Sequence, residues 1–323
     1  MQDQTQMFDA PLDGQSWLDW VQSAGALIGD EGYVESLGPR HAAIFVKKKT
    51  QTLLVSFEAH HRIEDVSDKA HPLGWQMAQA LGWSHLCLAS EMDTWFRDKR
   101  VYTYFDRLVD DGFFEGYDQV LFYGAGSCGY AAAAFSVAAP GARVLALSPQ
   151  ATLDPRIAEW DDRFLAMRRV AFDDRYGYAP DMLDGADHAF VLYDPESELD
   201  AMHAALFTRA NVTRYRMRHL GPRIDSALVR MNILLRMLAQ LSADKLDSDS
   251  LSRLYRARRD DGAYQFNLLK QTTRDDRHQL TKWLAEAVLR KRNSPPFHKA
   301  LVRAKNSLEA QSARPSETAV DHR

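Results

Sequence analysis

Between residues 73 and 217 the chain alternates short apolar runs with segments of helical periodicity. The runs are 85–89, 119–123, 143–147, 188–193 and 212–217, and the helical segments are 73–81, 101–111, 130–138 and 200–208. Apolar strands separated by helices predict a mostly parallel, doubly wound α/β sheet with helices on both faces. Right-handed crossovers then put the carboxyl ends of the strands, and any site, along one edge. Ahead of this block, Trp17, Leu18, Val21, Ala24 and Leu27 have the spacing of one amphipathic helix. Two β runs follow at 42–46 and 52–57, and the polar segment Lys47 to Gln51 between them predicts a hairpin.

Past the last strand run, 226–241 reads as one long apolar helix and 244–250 as a polar linker. Residues 251–306 carry helical patterning without a strand signal, and Leu254, Tyr255, Phe266, Leu269, Leu280, Trp283, Leu284, Val288 and Leu289 are its expected core. This gives an arm and helix over 1–40, an α/β domain over 41–243 and a helical C-terminal region over 244–306 that packs beside it. Residues 307–323 read as a disordered tail.

Composition narrows the function classes. Of 323 residues, 46% are hydrophobic and 26% charged, with a net charge of -4, so bulk electrostatics does not favour a polyanion. Residues 244–306 are locally basic, with 15 Lys and Arg against 8 Asp and Glu. Lys47-Lys48-Lys49 reads as a solvated turn, and Arg256-Ala257-Arg258-Arg259 as a solvated helix end. Two cysteines, Cys87 and Cys128, cannot build a disulfide framework or a four-thiolate metal site. The first residues lack the pattern of an export signal, and no apolar stretch reaches about 18 residues. The expectation is a cytoplasmic protein with no nucleic-acid or membrane partner and no cofactor; its small-molecule or protein partner is left open.

The informative segment is Asp118 to Ala132, in which an apolar strand runs into Gly124-Ala125-Gly126-Ser127-Cys128-Gly129-Tyr130 and then an Ala-rich helix. A nucleophile elbow needs this composition. Its turning residue is strained, its neighbours must lack bulk, and the helix N-terminus aims free N–H groups at a developing oxyanion. A Gly-rich turn can also hold a dinucleotide, but the next strand ends at Ser148, where such a site needs Asp or Glu.

With Arg143-Val144-Leu145-Ala146-Leu147-Ser148-Pro149-Gln150 after it, this stretch resembles a bacterial α/β-hydrolase-like family. Its active members carry a Gly-x-Ser-x-Gly-Gly-Tyr elbow and a following strand that ends in Ser-Pro-Gln. The resemblance covers about residues 50–225. It implies an α/β-hydrolase-like fold and a triad in the order nucleophile, acid, histidine. Two alignments of the elbow stay open. The gap-free one keeps Gly124 and Tyr130 in register and puts Gly126, which has no side chain, at the nucleophile. The other makes Ser127 the nucleophile and lets Ala125 replace the first glycine.

Asp194 follows a strand run and is the positional match for the acid, with Asp200 the alternative. His219 follows the next run and is the candidate base, although the family's local pattern is Gly-His and here Gly221 precedes Pro222. Gly124, Gly126 and Gly129, with Phe57 at the end of one early strand run and Trp95 in the segment after another, are candidate binding residues. Glu58-Ala59-His60-His61 occupies the expected oxyanion loop. Adjacent histidines on an extended chain point to opposite sides, so no metal site is expected there.

Two functions follow. One is a non-catalytic binding or accessory protein with a degraded elbow. The other is a serine esterase or acyltransferase working through Ser127, His219 and Asp194. Chains of this look also invite the label phosphoadenosine phosphosulfate reductase. That chemistry needs a cysteine in a late, mobile segment, and neither Cys87 nor Cys128 stands in one.

Overall fold

Eight strands make one sheet: β1 Gly32–Ser36, β2 His41–Val46, β3 Thr52–Ala59, β4 Ser84–Ser90, β5 Gln119–Ala125, β6 Arg143–Leu147, β7 His188–Tyr193 and β8 Val212–Arg216. Their order is β1-β2-β4-β3-β5-β6-β7-β8. The pairs β1–β2 and β2–β4 are antiparallel, and every later pair is parallel. The computed structural model describes residues 10–312. They fall into two units, divided between Tyr255 and Arg256.

The first unit carries α1 Trp17–Ile28, α2 Gly74–Leu81, α3 Lys99–Asp110, α4 Ser127–Phe135, α5 Glu198–Ala205, α6 Ile224–Arg230, α7 Leu234–Ser242 and α8 Ser248–Leu254. Helices flank the mostly parallel sheet, as the α/β-hydrolase-like reading requires. Alternate residues of β4 serve two cores, and β3 feeds the larger one. Leu53, Val55, Phe57, Leu86 and Leu88 join the larger cluster with Phe96, Phe105, Phe122 and Phe135. Cys87 and Ala89 join the other, under Trp17, Trp20 and Trp75. All nine residues of α4 are buried, and its run Ala131 to Ala134 lets the helix lie close against the sheet.

Three expectations need correction. Segments 42–46 and 52–57 are strands but not a hairpin, because β4 lies between them and pairs with both. The antiparallel partner of β2 on its outer side is β1, which is only half-buried and so gave little apolar signal. The helix expected over 226–241 is two helices, since Asn232 adopts a left-handed φ of 56° that ends a right-handed helix. The segment read as a polar linker is partly α8, whose N-terminus is closed by a reciprocal capping box between Asp247 and Ser250.

The second unit holds α9 Gly262–Arg274, α10 His278–Leu289 and α11 Pro295–Ser312. Leu269, Ala285, Val288 and Phe297 form its core. Asp261 caps α9 by accepting from Tyr264 N at 2.8 Å. Of the expected apolar positions, Phe266, Leu280 and Trp283 are exposed instead. Helix α11 continues to Ser312, so 307–312 are not part of a disordered tail. At the other end, Leu12 is buried and its N–H donates to Lys69 O at 2.8 Å, which anchors residues 10–12. The remainders of the expected arm and tail, 1–9 and 313–323, lie outside the described residues. No helix among the described residues is long and apolar enough to cross a membrane.

Candidate functional site

β5 delivers the chain into a sharp strand-to-helix turn. Gly126 takes φ 60° and ψ −122°, and Ser127 is the first residue of α4. The gap-free register therefore puts the strained conformation on the residue without a side chain. The flanking glycines are needed by the same turn. A Cβ on Gly124 would stand 2.1 Å from Cys128 O, and one on Gly129 would stand 3.0 Å from Leu147 O. Gly124, Gly126 and Gly129 have the Gly-x-Gly-x-x-Gly spacing of a dinucleotide loop, but close strand–helix approach accounts for Gly124 and Gly129, and the positive φ for Gly126.

A cation stands over the turn. A Cβ on Gly126 would lie 3.4 Å from Arg62 Nη1. Arg62 Nη2 donates to Asp93 Oδ2 at 2.6 Å, and Ser127 Oγ donates to Asp93 Oδ1 at 2.5 Å. His61 Nε2 lies 3.6 Å from the same carboxylate. Sequence reasoning singled out Ser127 and passed over Asp93 and Arg62, which reach it from separate loops.

The other expected triad members have different partners. Asp194 is buried at the end of β7, accepting from Gly221 N at 2.7 Å and from Glu196 N at 3.0 Å. His219, in a left-handed conformation with φ 67°, sets Nδ1 2.8 Å from Glu196 Oε1. Pro222, next to the Gly221 amide that Asp194 holds, lines one cavity with Gly126 and Ser127.

That cavity has a volume of about 180 Å³. Trp95 and Phe164 form an aromatic wall, with ring centroids 4.7 Å apart and planes at 70°. Trp95 Nε1 donates to Gln150 Oε1 at 3.0 Å. Arg163 lies over the Phe164 ring, 5.1 Å from its centroid, and is fixed by Asp200 Oδ1 at 2.7 Å and Asp161 Oδ2 at 2.8 Å. Behind it, buried His203 accepts from Ala151 N through Nδ1, so its Nε2–H donates to Asp161 at 2.9 Å. Burial pushes the Asp161 carboxyl up, but the hydrogen bonds from His203 and Arg163 outweigh it and hold the group well below the usual range. Asp200, the alternative acid, thus positions Arg163. Ser148 Oγ is buried in the cavity lining without a hydrogen-bond partner. Trp95, Phe96 and Ser148 all take positive φ, so backbone strain gathers at this edge. Phe57 instead packs in the core, against Phe96 at 4.9 Å and Phe135 at 5.5 Å.

A second polar cluster lies inside the sheet. Ser56 Oγ donates to Glu58 Oε1 at 2.6 Å and accepts from His85 Nε2 at 2.8 Å, while Leu73 N donates to both Glu58 oxygens at 3.1 Å. Glu58 thereby caps the start of α2. Burial raises the Glu58 carboxyl to about 7 and lowers His85 to about 3. Ligand atoms of Glu58, His85 and Cys87 lie within 4.8 Å of one another, so these three residues could hold a metal ion. The paired His60 and His61 drew attention in the sequence, whereas this cluster joins two strands and carries no local signature. Cys87 and Cys128 are both buried, and burial pushes both thiols up, away from the reactive thiolate.

No protein-family model matches the chain, and no curated protein matches it. Among solved structures, it is similar to a hyperthermophilic esterase from Pyrobaculum calidifontis, with 14% identity, a TM-score of 0.43, and coverage of 70% of this chain and 89% of that one. It is also similar to EstE1, a thermostable carboxylesterase from a metagenomic library, at 11% identity, TM-score 0.42 and coverage of 72% and 97%. MPT51 from Mycobacterium tuberculosis gives 15%, 0.40, and 66% and 95%. The fold rests on the strand order above rather than on these likenesses.

Proposed function

We propose that this chain is an α/β-hydrolase-like binding protein whose nucleophile elbow has lost its nucleophile, and that the cavity at the sheet edge holds a small polar ligand. The observation that carries this reading is the conformation of Gly126, φ 60° and ψ −122°, at the turning position. No side chain is there to attack a carbonyl. Pro222, which has no proton-accepting nitrogen, stands on the same cavity where the family places its histidine. The acid position keeps Asp194, now serving backbone amides. The unpartnered Ser148 hydroxyl, the Trp95–Phe164 wall and the braced Arg163 supply binding groups without a proton relay. Two buried free thiols suit a reducing compartment such as the cytoplasm.

One observation favours the serine esterase or acyltransferase alternative: Ser127 Oγ lines the cavity and donates to a carboxylate at 2.5 Å. However, Asp93 already accepts from Arg62, and a single step along a helix turns a side chain by roughly 100°, away from the turning residue's direction. Reductase chemistry at a cysteine draws no support from two buried thiols that both resist ionisation.

The test is a fluorophosphonate probe on the full chain. The expected result is no covalent labelling, with wild type and Ser127→Ala alike. Labelling of wild type that Ser127→Ala abolishes would establish the hydrolase alternative.

A further inference from the structure

The second unit carries a groove of about 810 Å³ that is independent of the sheet-edge cavity. Lys270 and Arg274 on α9, Lys299 and Arg303 on α11, and His278 and Thr281 on α10 line it. Asp276 is the one acidic side chain among its lining residues. Each cation pair is spaced four residues apart on its helix, the spacing at which like charges repel. Lys299 and Arg303 make no ion pair among the described residues. Lys270 rests over the Phe266 ring at 4.7 Å, and Arg274 reaches Gln271 Oε1 at 2.7 Å and Asp275 Oδ1 at 3.5 Å. The groove is therefore short of negative charge.

A second, independent feature points the same way. Thr281 is 3% exposed, and its Oγ1 is buried without a hydrogen-bond partner. A buried hydroxyl left unpaired is destabilising, and a valine of the same shape would avoid the cost. No side chain caps the N-terminus of α10, where positive dipole meets the groove. Two repelling cation pairs, an orphaned donor and an open helix N-terminus are all relieved by one kind of ligand.

We propose that this groove binds a small organic phosphate. Its phosphomonoester dianion would sit between the Lys270–Arg274 and Lys299–Arg303 pairs, and Thr281 Oγ1 would donate to a phosphate oxygen. The volume suits a ligand of sugar-phosphate or nucleotide size.

Calorimetric titration of the full chain with inorganic pyrophosphate, at constant ionic strength and with sulfate as control, tests this. Saturable binding is expected, tighter than that of sulfate. The double variant Lys299→Gln/Arg303→Gln weakens it by at least about tenfold, the scale of one lost charge-assisted hydrogen bond. Thr281→Val also weakens binding, yet raises the melting temperature of the free protein, an outcome that a merely structural threonine would not give. Two further arms identify the source. Adenosine monophosphate binding without vesicle binding assigns a soluble phosphate; capture by phosphatidylcholine vesicles containing phosphatidic acid, lost in the double variant, assigns a lipid headgroup. Pyrophosphate binding that is absent, matched by sulfate or unchanged in the double variant overturns the proposal. So does binding of a duplex oligonucleotide without any pyrophosphate heat, which would make the groove a nucleic-acid surface.

Discussion

Ser127 donates a hydrogen bond from its hydroxyl to Asp93, at 2.5 Å, and Asp93 in turn holds Arg62 over the glycine at the strand-to-helix turn. The serine is thus tied to a carboxylate that is itself engaged by a guanidinium, an arrangement that anchors a loop to the start of α4. A charge-assisted hydrogen bond of this kind is worth about 1.5–3 kcal/mol.

Ser127→Ala is accordingly expected to lower unfolding stability by about 1–3 kcal/mol, with the m-value unchanged. Asp93→Ala is expected to cost more, because it strands Arg62 as well. Urea denaturation of both variants checks the order. An Asp93→Ala protein as stable as wild type would show that the cluster contributes nothing.

The turn itself makes two predictions. Gly124→Ala forces a Cβ to within 2.1 Å of the Cys128 carbonyl, so strand and helix must separate; a loss of about 3 kcal/mol or more follows. Gly126→Ser brings its Cβ to 3.4 Å from Arg62 Nη1, an ordinary contact, but takes a positive φ, at a cost of about 1–3 kcal/mol. The first variant is expected to express poorly and the second to fold.

Gly126→Ser also probes the assignment of roles. With Pro222 still in place it is expected to hydrolyse p-nitrophenyl acetate no faster than wild type. The double variant Gly126→Ser/Pro222→His places a base beside the amide that Asp194 already holds, and measurable turnover is expected there first. Turnover in the single variant would mean that another residue serves as base.

How much of this was legible in the sequence depended on range. Strands β4 to β7 carry continuous apolar runs and were readable, as was the turn at 124–129, because strain and close packing demand glycine at fixed positions. The half-buried edge strand β1 lacks that signal. The break at Asn232 is a single left-handed residue inside an apolar stretch, which periodicity does not register. Site geometry was harder. Asp194 does stand at a strand end, where position in the fold singled it out, but its partner is the Gly221 backbone, and His219 pairs with Glu196. Asp93, Arg62, Ser148 and Arg163 come together from loops far apart in the chain, and nothing local marks them.

Glu58 offers a prediction with a definite sign. Its carboxyl is raised from an ordinary 4.5 to about 7, because burial penalises the charged form more than Ser56 and Leu73 N stabilise it. Between these two values the folded state keeps a proton that the unfolded state has released. Stability from this group is therefore fully present below about pH 4.5 and is lost as pH rises through 7. His85 works in the opposite sense. Burial lowers it to about 3, so its contribution is present above its ordinary 6.5 and is lost as pH falls. Glu58→Gln keeps an acceptor for Leu73 N and Ser56 and removes the titration on the alkaline side alone. The expected outcome is a variant that gains on wild type steadily from pH 4.5 to 7.5 and still loses stability toward low pH. Chemical denaturation at half-unit pH intervals measures the difference curve. A flat difference across that window would mean that Glu58 is ionised throughout, held charged by Ser56, Leu73 N and the N-terminus of α2 against the cost of burial.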